Sequence, residues 1–112
     1  MRAQNRLAKR KDIERVMKRG CSFFAQDIGI RTVKNNLDIS RFTVITSLKI
    51  SKKAVDRNKL KRRLREILRK EIIPKIKPGF DGIILTRKGL LELGFDELRQ
   101  ILTLTFKKAR LI

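Results

Sequence analysis

The chain has 112 residues, 41% of them hydrophobic, which suits one domain over residues 1–112 that buries about 60 to 70% of its unfolded surface and excludes wholesale disorder. Thirty Lys and Arg against 11 Asp and Glu give a net charge of +19 with no His, a self-repelling field that points to a polyanionic partner, nucleic acid before an anionic membrane. No apolar run approaches the roughly 20 residues that cross a bilayer, and the opening MRAQNRLAKRKD lacks the apolar stretch of a signal peptide, so a cytoplasmic protein is expected.

In chain order, Asp12 to Arg19 is predicted as a short helix, with Asp12 as its cap, Ile13, Val16 and Met17 at i, i+3, i+4, and Gly20 as the stop. Cys21 to Ala25 is a brief strand. The solitary Cys21 forbids an internal disulfide and is expected as a small, semi-buried residue beside a turn. Asp27 to Val33 alternates as a second strand, Lys34 to Asp38 is a turn, and Phe42 to Leu48 is a β-branched third strand.

Asp56 offers a second cap, and Leu60, Leu64, Ile67 and Leu68 lie on one side of a helix running to about Ile73, which Pro74 ends. Gly82 to Thr86 is wholly apolar, as a central strand covered on both faces is. Phe95 to about Leu111 is a final helix with Phe95, Leu98, Leu102 and Phe106 on one face. Asp96 and Glu97 open it and Lys107, Lys108 and Arg110 close it, as the helix dipole favours. The order αβββαβα predicts an α+β sandwich of one sheet and its packed helices.

Catalytic chemistry has little to stand on. Without His the commonest general base and metal ligand is missing, and one Cys cannot build a thiolate zinc site. No phosphate-cradling glycine loop or nucleophile elbow is present, and Asp12, Glu14, Asp56, Glu66, Asp96 and Glu97 suit helix starts or solvated positions. Any catalysis must draw its chemistry from elsewhere.

The informative segment is Lys52 to Lys70, with ten Lys or Arg against Asp56 and Glu66, a net of +8. At about 100° per residue, Asn58, Lys61, Arg62, Arg65 and Arg69 gather beside the apolar sector. A merely solvated face normally mixes signs to gain i,i+4 pairs; here its members repel one another. Arg outnumbers Lys in the stripe, as phosphate recognition favours, and Asn58 is expected in the first turn, where backbone donors help hold a phosphate. The first 20 residues add a net +6, so these two regions hold +14 of the +19.

The run Arg57-Asn58-Lys59-Leu60-Lys61-Arg62-Arg63-Leu64-Arg65-Glu66 resembles the R-N-R-[IL]-K-R-x-x-R-E motif of the bacterial ribonuclease P protein family, with Lys59 at the third Arg. Upstream, Ser47 to Asp56 is similar to the family's small-K-K lead-in, with Leu48 at the first Lys. Asn5-Arg6-Leu7 and Lys11 to Gly20 follow its opening pattern, with Ile13 and Met17 at positions usually Phe. Gly79 to Leu85 resembles its fourth strand and Phe95 to Leu98 its last helix.

The resemblance implies a ribosomal protein S5 domain 2-like fold with a left-handed βαβ crossover, where general rules favour the right hand. It implies a subunit of an endoribonuclease that removes the 5′ leader of precursor tRNA, with catalysis by magnesium ions on the partner RNA and no cofactor on the protein. By position, Lys53, Arg57, Asn58, Lys59, Lys61, Arg62 and Arg65 would face the catalytic RNA, with Arg69 added by its place in the stripe. Ile13, Met17 and Phe23 would line a cleft for the single-stranded leader of precursor tRNA. A ribosomal or general RNA-binding scaffold shares the basic helix and lacks that cleft. DNA reading by the Asp56 helix lacks a helix-turn-helix partner.

Overall fold

A computed structural model describes residues 3–47 and 49–112; Leu48, expected at the end of the third strand, lies outside the described residues. Helix α1 (Arg10–Arg19) leads into strands β1 (Cys21–Ala25), β2 (Ile28–Lys34) and β3 (Arg41–Ile45), followed by α2 (Ala54–Ile67), β4 (Phe80–Thr86) and α3 (Phe95–Lys108). The sheet order is β1-β2-β4-β3, with β1 and β4 antiparallel to β2 and β3 parallel to β4. The all-apolar run is thus central, as predicted.

The two faces of the sheet carry different cores. Ile28, Ile30, Phe42, Val44 and Ile84 point to α2 and α3, where they join Leu60, Leu64, Ile67, Leu98, Leu102 and Phe106. The Phe42 and Phe106 rings meet edge to face at 5.3 Å. On the other face Leu7, Val16 and Ile83 form a smaller cluster under α1, with Ile13, Val33 and Leu85 at its margin.

The hand of the crossover follows from one hydrogen bond. In an ascending strand, an L-residue whose side chain faces the viewer sends its carbonyl to the right. Viewed from the α2 side, Phe42 points its ring at the viewer and its carbonyl accepts from the Leu7 N–H at 3.0 Å. Leu7 therefore lies to the right of β3 and β4 to its left. The chain passes from β3 in front through α2 and enters β4 on the left, a left-handed crossover, as the resemblance implied and against the general rule.

Several local expectations are corrected. Helix α1 starts two residues early with Lys9 at its N-cap and no side-chain cap; Asp12 instead pairs with Arg41 at 3.5 Å, keeping its charge in the first turn where the dipole favours it. Likewise α2 starts at Ala54 after Lys53, and Asp56 accepts the Ser51 hydroxyl at 2.9 Å rather than capping. That start makes Asn58 the fifth helical residue, so its backbone N–H bonds within the helix and only its side chain is free for a phosphate. Before Pro74 the chain widens into a π-helical turn over Leu68–Ile72 and then a 3₁₀ turn over Ile73–Lys75. Phe95 is exposed because helical side chains lean toward the N-terminus, which carries this first residue off the end of the core. Cys21 is exposed, at the start of the edge strand β1.

Candidate nucleic-acid interface

Helix α2 buries Leu60, Leu64 and Ile67 against the sheet and α3, which fixes what its other sides present. On the sector from Asn58 through Lys61, Arg62 and Arg65 to Arg69, Asn58, Arg62 and Arg69 are exposed and Lys61 and Arg65 half-exposed. Among the described residues, no carboxylate lies within ion-pair distance of Lys53, Lys61, Arg62 or Arg65. Like charges crowded at i,i+3 and i,i+4 raise the local potential, and an incoming polyanion relieves it.

Arg69, Arg57, Lys59 and Lys53 each sit in a different setting. Arg69 is restrained: its Nη2 donates to Glu66 Oε1 at 2.6 Å, and Lys70 Nζ approaches the same oxygen at 3.2 Å. These hydrogen bonds hold the Glu66 carboxyl down to about 2. Arg57 is half-buried and donates to the Ser51 carbonyl at 2.8 Å, so it ties the helix start to the loop before it. Lys59 lies on the opposite flank, lining a small pocket with Asp56, Leu60, Arg63, Leu90 and Leu91. Lys53 is exposed at the N-cap.

Beneath α1 the sequence reading missed Asp81. Its side chain is completely buried and accepts four hydrogen bonds: from Arg15 Nη2 at 2.6 Å, Arg41 Nη2 at 2.7 Å, Arg41 Nε at 2.9 Å and Asn35 Nδ2 at 2.9 Å. The bond to Asp81 holds the Arg41 guanidinium further above its ordinary range. A buried charge persists only when paired and hydrogen-bonded, so this carboxylate pins α1 and the β2–β3 turn to the sheet. Its signal in the sequence was one charge inside the G-F-D-G-I-I-L run.

Pinned there, α1 covers the end of the sheet where β3 and β4 begin. Ile13 is half-buried beside the small core, whereas Met17 is 47% exposed near the helix end. Arg31 Nε donates to the Val16 and Met17 carbonyls at 3.2 and 2.9 Å, closing the end of α1 onto β2. The far end of the same face stays open, with Ile45 38% and Phe24 36% exposed. Phe23, expected to line this cleft, points the other way: it pairs with Ile30 and packs against the helix-side core. Strand alternation puts its neighbour Phe24 on the α1 face instead.

The Ribonuclease P family profile matches residues 1–110. The chain is similar to the ribonuclease P protein component of Microcystis aeruginosa, 35% identical over 88% of this chain and 88% of that protein. Its counterpart from Thermotoga maritima is 41% identical over 80% of this chain and 74% of its own length. The solved structure of the Thermotoga maritima RNase P protein matches with a TM-score of 0.82 at 34% identity, covering 92% of this chain and 96% of its own. A Staphylococcus aureus RNase P protein mutant with defective mRNA degradation activity matches with a TM-score of 0.89 at 26% identity, covering 97% and 91%. With the basic helix, the left-handed crossover and the whole-length matches in agreement, the chain belongs to the ribonuclease P protein family.

Proposed function

We propose that this chain, as a ribonuclease P protein component, holds the catalytic RNA on the unpaired cationic sector of α2 and the leader of precursor tRNA in the trough between α1 and the open end of the sheet. The carrying observation is the asymmetry of α2. Lys61, Arg62 and Arg65 have no carboxylate within reach among the described residues, while Glu66 restrains Arg69 and Lys70 on the flank. Lys53, Asn58 and Lys59 extend the contact around the helix start, and Arg57 shapes it.

In this reading the protein makes and breaks no bond. It neutralises phosphates, so that two polyanions can approach and the ions on the RNA can act at lower concentration. The protein binds no cofactor of its own, and magnesium belongs to the RNA subunit. The absence of His from the sequence removes the commonest general base from the protein's side of that division of labour. Ile13 and Met17 line the α1 wall of the leader trough. The complex would work in the cytoplasm; no helix among the described residues is long and apolar enough to cross a membrane.

Reconstitution tests this. Purified protein alone should leave precursor tRNA intact, and adding it to ribonuclease P RNA should raise cleavage most at low magnesium. Cleavage by rigorously RNA-free protein, or equal stimulation at every magnesium level, contradicts the reading.

A further inference from the structure

At the open end of the α1 face three residues stack in layers. Phe24 pairs with Gly29 across β1 and β2. Its ring lies directly on that glycine: a Cβ there would stand 2.3 Å from a ring carbon, so only glycine admits the ring. The Arg87 guanidinium carbon lies 4.3 Å from the centroid of the same ring. The backbone on both sides is tied down, since the Arg87 N–H donates to the Asp27 carbonyl at 3.0 Å and Lys108 Nζ donates to the Phe24 carbonyl at 3.2 Å. Arg87 itself is exposed and, among the described residues, has no carboxylate within ion-pair distance.

A guanidinium resting on an aromatic face is held flat and keeps its outer face for another planar group. Carboxylates meet guanidinium at its edge; the planar partner that suits its face, beside a chain of net charge +19, is an unpaired nucleobase whose phosphates meet the surrounding cations. We infer that Arg87, seated on the Phe24 ring over Gly29, is a stacking platform for one base of single-stranded RNA. Phe24 is the positioning residue and Arg87 the contact. This rests on the leader reading and adds a site at the open end of the sheet, on the far side of the face from the Asp81 clamp.

The test uses the holoenzyme and precursor tRNAs in which one leader nucleotide at a time is made abasic. For the wild-type protein one position should cost about tenfold in affinity, within the range of single-base stacking. Arg87→Lys keeps the charge and loses the plane, so the cost of that abasic position should vanish while the salt dependence of leader binding stays the same. Phe24→Leu should reduce the cost, and Phe24→Trp should restore it. An Arg87→Lys holoenzyme with the wild-type abasic profile overturns the platform and leaves the leader reading standing. Equal binding of leaderless and leader-bearing tRNA by the wild type overturns the leader reading, and the platform with it.

Discussion

The first helix and the second are both crowded with Lys and Arg, yet among the described residues only the first sends a cation inward to a buried carboxylate. Beneath α1 three cations turn inward, Arg15 and Arg41 onto buried Asp81 and Arg31 onto the carbonyls at the helix end, while Lys11, Lys18 and Arg19 stay exposed on its outer side. Along α2, Lys61, Arg62 and Arg65 find no carboxylate among the described residues and face solvent. Charge density alone therefore does not mark an interface. What separates an internal clamp from a docking surface is whether the fold delivers an anion from a distant strand.

Breaking the clamp should have the largest effect. Asp81→Asn leaves two guanidinium groups facing a neutral amide beneath α1, and stability should fall by about 3 to 5 kcal/mol, the usual cost of breaking a buried pair. Urea unfolding measures it, and a wild-type midpoint would mean that apolar packing alone holds α1. The opposite arm is gentler on the fold. Arg62→Ala or Arg65→Ala should weaken binding to ribonuclease P RNA by about tenfold each, in line with charge-assisted hydrogen bonds, while stability changes by less than about 0.5 kcal/mol. Loss of stability in step with affinity would place these side chains in the packing instead.

Met17→Phe sharpens the comparison from the α1 side. Because Met17 is 47% exposed, a ring fits without overpacking, and leader binding should tighten by about 1 kcal/mol, the low end of base stacking. Affinity for the RNA subunit should not move. A destabilised variant with no gain in leader binding would return Met17 to the small core. The smallest effect concerns Glu66, whose carboxyl is held at about 2 against an ordinary value of 4.5. With the folded value depressed, the pair contributes fully above the ordinary value and is lost as pH falls toward 2. Glu66→Gln should slightly flatten acid unfolding over that window and release Arg69 and Lys70 for RNA. A steeper acid limb in the variant would contradict the pairing.

Most of the fold was legible because its periodicities are clean. The strand Cys21–Ala25, the apolar run of β4 and the Leu60, Leu64, Ile67 stripe of α2 stand where the pattern places them. Caps were not legible. Asp12 and Asp56 each sit at the third helical position because a partner outside the helix, Arg41 or Ser51, claims the carboxylate. Asp81 was invisible for the same reason, since its partners lie 40 and 66 residues away in sequence. In the site, the cationic sector of α2 followed from helical spacing alone. Which of the adjacent Phe23 and Phe24 faces α1 was not legible, because only the register with Ile30 and Gly29 decides it, and it turns Phe23 to the other face.

The most direct measurement is the salt dependence of binding to ribonuclease P RNA. If four or five residues of the α2 sector meet phosphates, log K should fall against log salt with a slope of roughly −3 to −4.5, and an Arg62→Ala/Arg65→Ala double variant should lose about 1.5 of that slope. A double variant with the wild-type slope would show that the RNA is held somewhere other than the unpaired face of α2.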